Sequence, residues 1–443
     1  MSNASIVFPV HGHEGAAALS QAHTDEDVTP GEIAVGVVIG RASEYFDFFV
    51  FGIACVLVFP SLLFPFLSHL NGTLAAFAVF ALAFIARPFG TAISMAVQRR
   101  WGRGTKLTLA LFLLGVCTVG MAFLPSYQSA GALAIVVLVA LRMGQGVALG
   151  GSWDGLPSLL AMAAPPERRG WYAMLGQLGA PLGFVLAASL FAYLYGSLSQ
   201  AEFLDWGWRY PFCVAFAINV VALFARLRLV VGQSYAELLE EKELAPVGVA
   251  RLMRDEGGNV LLGAFAALAS FALFHVVTVF PLSWMALYSD RSMTEVLCVQ
   301  IVGALLAVAA VALSGRLADR LGRRNLLGGM AVLIGLFSLA TPWLLGGGEF
   351  GGNVFLLGGF VLLGLSYGQA SGTVTANFST QYRYTGAALS ADLAWLIGAA
   401  FAPLVALGLS AHFGLGAVTL YLLSGVACTL AALRINRMIE QRS

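Results

Sequence analysis

GRLADRLGRR, residues 315–324, has a looser copy earlier in the chain, MAVQRRWGRG at 95–104. At an offset of 220 the two align Arg100 with Arg320, Gly102 with Gly322 and Arg103 with Arg323. That offset is close to half of the 443 residues. Each copy is short and basic, and each follows the second long apolar stretch of its half. The pair predicts a chain built of two parallel repeats, each starting with two membrane-length segments.

Working outward, the apolar runs are long enough to cross a bilayer, which takes about 20 residues of helix. Twelve candidates lie at roughly 33–60, 73–95, 107–124, 130–162, 171–195, 209–229, 258–287, 294–315, 326–345, 353–377, 385–410 and 414–434. Barrel strands would alternate polar and apolar residues, and these runs do not. The fold class expected is an all-α membrane protein of twelve helices in two six-helix halves. Composition agrees: 59% of residues are hydrophobic and 11% charged, where a soluble chain carries about 25% charged residues. This excludes a soluble enzyme and a nucleic-acid binder, and a net charge of +1 offers no bulk attraction to a polyanion. The 51 glycines suit close helix packing in lipid.

Of the 24 Lys and Arg, 19 fall in loops or helix ends on one side, against Arg209 and Arg291 on the other. Arg41, Arg87 and Arg142 lie within spans. The positive-inside rule places both termini in the cytoplasm. The expected organisation is a disordered tail at 1–32, an N-terminal half at 33–229, a cytoplasmic linker at 230–257, a C-terminal half at 258–434 and a short tail at 435–443. No signal peptide is expected before Ile33. Cys55, Cys117, Cys213, Cys298 and Cys428 sit in apolar runs without ligand spacing and read as buried core residues. No metal site is expected. Ser292 and Glu295 have the spacing of a capping box opening span 8.

A charge at the centre of a membrane helix costs about 2.5–3.5 kcal/mol on insertion scales, so each one is a functional candidate. The set is Arg41, Glu44, Asp47, Arg87, Arg142, Asp154 and Asp392, with His275 beside them. Arg41 and Glu44 are one helical turn apart and can pair. Asp47 lies 14 residues past Ile33, about 21 Å along a helix, near mid-bilayer. Arg87 is either a fork for a substrate carboxylate or a partner of Glu44 or Asp47. Pro88 is expected to bend span 2. Gln145 and Gln177 are candidate substrate contacts. His275 is either a hydrogen-bonded core residue or a coupling group.

The loop Gly315-x-Leu317-x-Asp319-Arg320-x-Gly322-Arg323-Arg324 resembles the G-x-L-x-D-R-x-G-R-R signature of the major facilitator superfamily. Physically, Asp319 can cap a neighbouring helix N-terminus or pair with arginine across the cytoplasmic face. The first-half copy departs from the signature, with Arg99 where the family has Asp. A tie there is weakened or rebuilt, and Arg100, Gly102 and Arg103 are what remains. A closer resemblance runs over nearly the whole chain. GRASEYFDFFVFG (40–52), ARPFG (86–90), LRMGQGVALGG (141–151), APPERRG (164–170), QLGAPLG (177–183) and YRYTGAALS (382–390) are similar to motifs of the metabolite:proton symporter family, which carries 2-oxoglutarate, shikimate, citrate and proline or betaine.

That resemblance implies proton-coupled uptake of a small polar metabolite, most of all an organic acid, by alternating access. It implies a proton-coupling set of Asp47, Arg142 and Glu44, with Asp47 paired to Arg142. A carboxylate beside arginine stays ionised, and one left alone in a dry cavity takes a proton. Substrate contacts are expected from Arg87, Arg41, Gln145, Asp154, Gln177, His275 and Asp392. Two residues depart from the family. Asp154 stands two positions, about 200° round a helix, from the family's glutamate, and Asp392 replaces an amide. The expectation is a monomer of the bacterial cytoplasmic (inner) membrane, with the proton as coupling ion and no other cofactor. Alternatives are a proton-driven efflux antiporter and a non-transporting sensor.

Overall fold

In hydrocarbon every backbone N–H and C=O must be satisfied within its own segment, so apolar runs of this length close into helices. The computed structural model describes residues 30–152, 160, 164–231, 245–370 and 378–440, and no strand occurs among them. The helices of the first part are α1 (Pro30–Leu57), α2 (His69–Ala122), α3 (Ala132–Gly151), α4 (Arg169–Leu175), α5 (Gly179–Ser197) and α6 (Tyr210–Val231). Those of the second part are α7 (Val249–Ala266), α8 (Leu268–Thr278), α9 (Phe280–Tyr288), α10 (Met293–Leu321), α11 (Arg323–Gly346), α12 (Gly348–Tyr367), α13 (Arg383–Ala394), α14 (Ala402–Phe413) and α15 (Gly416–Glu440). Among the described residues, ten helical stretches are long and apolar enough to cross a membrane.

The polarity of the bundle is inverted relative to a soluble protein. Phe112, Val221, Phe224 and Trp343 are exposed, while Glu44, Asp47, Lys106, Arg142, Arg226 and Asp392 are buried. Charged groups buried within an otherwise apolar bundle are costly to place in a membrane and mark functional candidates.

The two copies of the basic motif do the same backbone work. α2 breaks at Gly102, at φ 85°, and α10 gives way to α11 at Gly322, at φ 82°. Both dihedrals lie in the region that only glycine adopts without strain, so the turn itself requires the repeated glycine. Pro88 sits inside α2 without interrupting it. The break in the helix falls at Gly102.

Small residues set how closely the helices pack. α2 and α3 lie backbone against backbone: a Cβ on Gly146 would fall 2.2 Å from the Ala83 carbonyl oxygen, and one on Gly150 2.2 Å from that of Arg87. This approach fixes the depth of Arg87 and Arg142 relative to each other. The first part meets the second along two seams, α5 and α4 against α10, and α2 against α13, α14 and the segment between them. That segment, Trp395–Ala400, is one turn of π-helix, a form found mostly at functional sites.

Three sequence expectations change. Ser292 makes no side-chain cap. It is exposed beside an open vestibule, where solvent takes the place of the reciprocal bonds. The capping box that does form is Ser199 with Glu202. Cys213 and Cys298 are exposed on outward helix faces, not buried like Cys55 and Cys117. An apolar run does not tell which face of its helix turns to lipid. Span 7, expected as one helix over 258–287, is broken at Ala267 and Val279, and the helix leading into it kinks at Glu256, next to the expected end of the linker at 257.

Candidate functional site

Three polar clusters occupy the middle of the bundle. The first is built on Glu44 of α1. Its Oε2 accepts from Arg41 Nη1 at 2.9 Å and its Oε1 from Arg226 Nη1 at 2.8 Å. Arg226 Nη2 also donates to the Ser152 carbonyl. The Arg41–Glu44 pair was legible from its spacing. Arg226 was read only as one more basic residue at a helix end, because its position in the last turns of α6 looks the same in sequence whether the side chain reaches solvent or turns inward.

The second cluster surrounds Asp47. The Thr118 hydroxyl donates to Oδ2 at 2.7 Å, Gln145 Nε2 lies 3.2 and 3.3 Å from the two oxygens, and Asn219 Nδ2 is 3.5 Å away. The direct ion pair expected between Asp47 and Arg142 does not form. Gln145 stands between them, its Oε1 accepting from Arg142 Nη1 at 2.9 Å. The guanidinium is drawn elsewhere: Nε and Nη2 donate to the Phe80 carbonyl at 3.3 Å, and its carbon sits 4.0 Å from the Phe51 ring centroid. Cation–π attraction of this kind strengthens when desolvated. Asp47 is thus a buried carboxylate held by neutral donors.

The third cluster joins the two parts of the chain. Arg87 Nε lies 2.6 Å from Asp392 Oδ1, and the Thr91 hydroxyl donates to Asp392 Oδ2. The partner of Arg87 is therefore neither Glu44 nor Asp47. Helix α13 brings Asp392 against α2 at this depth, which linear spacing does not reveal.

Arg41, Glu44 and Arg87 line a cavity of about 30 Å³ together with Phe48, Phe84 and Trp395. That volume holds about one or two waters, so the site is shut around itself. Aromatic packing closes it: Phe84 stacks on Trp395 with centroids 5.8 Å apart, and Phe48 on His275 at 5.2 Å. The Tyr45 and Tyr367 hydroxyls bond to one another across the two parts. His275 is fully buried, with Nδ1 3.4 Å from the Thr278 hydroxyl. It packs as a core histidine within the aromatic group. Gln177, also buried, lies at the break between α4 and α5, and no hydrogen bond to its Oε1 occurs among the described residues. Asp154 lies outside the described residues.

At the arginine-rich end the molecule is closed. Asp319 Oδ1 accepts from the Gly170 N–H at 2.6 Å and Oδ2 from the Trp171 N–H at 3.2 Å. It thereby caps the start of α4, a site favourable to negative charge. Gln369 reinforces the seam, accepting from Arg323 Nε at 3.2 Å and donating to the Gly170 carbonyl at 3.1 Å. A Cβ on Gly170 would lie 2.7 Å from that of Ala318, and one on Gly315 3.0 Å from the Trp171 Cα, which accounts for Gly315 in the motif. Arg320 and Arg100 are exposed, and Arg103 and Arg324 half-buried.

In the first-half copy, where Arg99 replaces the acid, the tie is rebuilt from other groups. The Tyr384 hydroxyl donates to Gln98 Oε1 at 3.1 Å and accepts from buried Lys106 at 3.2 Å. Sequence reading missed Gln98, Lys106 and Tyr384. Their one signal was a lysine two residues past the motif. The opposite end opens into a vestibule of about 400 Å³, with His69, Tyr195, Gln200 and Arg291 on its wall.

These features, an inverted bundle with two packed seams, buried charges at mid-depth and tied basic loops at one end, are those of a membrane carrier. Residues 130–392 match the description Major Facilitator Superfamily. The chain is 34% identical over 429 residues to the inner membrane metabolite transport protein YhjE of Escherichia coli (strain K12), covering 95% of this chain and 98% of that relative. It is 29% identical over 442 residues to the shikimate transporter of the same organism, covering 97% of each. The crystal structure of a D-xylose-proton symporter superposes with a TM-score of 0.67 at 19% identity, covering 91% of this chain and 96% of that one. That likeness shows the fold. The chain belongs to the Major Facilitator Superfamily and is a multi-pass membrane transporter, not an enzyme.

Proposed function

We propose that this chain imports a small organic acid together with protons, by alternating access, across the bacterial cytoplasmic membrane. In this reading twelve helices form two six-helix halves, both termini are cytoplasmic, and the working unit is a monomer. The observation that carries it is Asp47: a buried carboxylate bonded to neutral donors, adjoining a region where Arg41 and Arg87 line a central cavity. A carboxylate so placed is a proton carrier when the site changes its exposure, and arginine is the cation suited to grip a carboxylate by a fork. The names of the relatives support a metabolite as cargo. The inside-facing barrier is the pair of ties at Asp319 and Tyr384. Arg142 and Gln145 hold Asp47 in place; Glu44 with Arg41 and Arg226 fixes α1 against α6.

The experiment is uptake of radiolabelled benzoate, shikimate, 2-oxoglutarate and citrate into proteoliposomes, with and without an inward proton gradient. Gradient-driven accumulation of at least one acid is expected. No uptake of any of them, or uptake that ignores the gradient, refutes the proposal.

A further inference from the structure

Asp392 is the one buried carboxylate on α13, and it touches the other part of the chain at two points. One is Arg87 Nε, 2.6 Å from Oδ1. The other is the Thr91 hydroxyl on Oδ2. The Arg87 contact is close and is made by one guanidinium nitrogen, Nε. It is an electrostatic contact at one edge of the guanidinium, not a two-pronged grip. Arg87 also lines the central cavity together with Arg41. An incoming carboxylate would therefore meet a cation whose present partner holds it by a single edge, and a bidentate grip is the stronger of the two.

Resting on the organic-acid reading above, we infer that the substrate carboxylate displaces Asp392 from Arg87, and that Asp392 takes up a proton as it is displaced. Once Arg87 is lost, Asp392 keeps one neutral donor, Thr91, in a site that is 3% exposed. A carboxylate so isolated from water and counter-charge is neutralised. The balance is closed: one O–H bond forms on Asp392 from a water-borne proton as the substrate binds. That bond breaks, releasing the proton on the far side, when the substrate leaves and Arg87 recovers its partner. The Arg87–Asp392 contact bridges the two parts of the chain, one turn before the π-helical segment whose Trp395 lines the same cavity. Exchange of partners at Arg87 thus reports substrate occupancy directly to the seam that must slide.

The other charged groups around α13 do not supply a substitute partner. Arg41 and Glu44 of α1 are bonded to each other, and Lys106 of α2 donates to Tyr384, eight residues before Asp392 on α13. On α7, Asp255 accepts from Tyr382 and Glu256 from Ser379, both at the far end of the span. Arg251 pairs with Asp255 at 3.7 Å. His275 of α8 lies across Trp395, with ring centroids 6.2 Å apart.

The test is proton stoichiometry. Proteoliposomes carry the acid of the above panel that the wild type accumulates best, and the proton-to-acid ratio is read from the membrane potential, set with potassium and valinomycin, that just cancels a fixed pH gradient. Asp392→Asn should lower the ratio by one proton and the limiting accumulation about tenfold per pH unit of gradient, while counterflow exchange persists. Independently of whether Asp392→Asn folds, a second measurement uses purified Asp47→Asn protein in weakly buffered detergent with a pH dye. Addition of the same acid should still draw one proton per bound molecule. An unchanged ratio in Asp392→Asn, or no proton uptake by Asp47→Asn, overturns the inference while leaving acid import intact. If the wild type accumulates none of the panel, the organic-acid reading falls and this inference with it.

Discussion

Asp319→Asn should loosen the arginine-rich end by an amount that can be worked from the contacts. The wild-type carboxylate accepts from the Gly170 and Trp171 N–H groups at 2.6 and 3.2 Å, at a helix start that favours negative charge. Asparagine keeps one acceptor oxygen, so one of the two bonds survives without its charge. The other N–H meets an amide that is itself a donor. A hydrogen bond to a charged group contributes about 1.5–3 kcal/mol, and every 1.36 kcal/mol is a factor of ten. The open-to-closed ratio at this end should therefore rise by roughly 10- to 150-fold. Ala318 reports it: it is buried at 6% exposure in this seam, against the point where a Gly170 Cβ would stand. With the five native cysteines replaced by alanine, Ala318→Cys should react with a membrane-impermeant maleimide at least about tenfold faster in the Asp319→Asn background. Arg320→Gln, at an exposed side chain, should change the rate less than about twofold, as exposed charges contribute little. Equal labelling rates in wild-type and Asp319→Asn backgrounds, with both proteins monodisperse, would show that this cap does not hold the closed state.

Asp47→Asn should abolish accumulation driven by a proton gradient yet preserve counterflow exchange, which needs no net proton release; loss of both would place Asp47 in binding or folding. Glu44→Gln leaves buried Arg226 and half-buried Arg41 without their carboxylate, and should cost about 3–5 kcal/mol, seen as a lower melting temperature in detergent; an unchanged melting temperature contradicts the cluster's structural role. Tyr384→Phe removes the links to Lys106 and Gln98 and should raise labelling at Ala318→Cys by a smaller factor than Asp319→Asn does; a larger effect would make the rebuilt first-half tie the dominant one. Gly146→Ala puts a Cβ 2.2 Å from the Ala83 oxygen and should cost at least about 1–3 kcal/mol, read as reduced thermal stability; wild-type stability would refute the close approach of α2 and α3.

The sequence by itself determined the class of molecule and the residues to inspect. Apolar runs of membrane length leave the backbone no choice but helix, and a charge among them stands out because its insertion is costly. Asp319 was legible as a candidate helix cap, and Gly102 and Gly322 as matched positions of a repeat, because signals of that kind are local. Only the tertiary structure decided who meets whom. The partner of Arg87 proved to be Asp392, Glu44 took Arg226 as well as Arg41, and Gln145 came between Asp47 and Arg142. Each outcome depends on how far a helix is rotated and how deep it sits. Those quantities are set by Gly146 and Gly150 against α2 and by the aromatic side chains around His275, contacts between segments far apart in the chain. A side chain's spacing along its own helix carries no record of them.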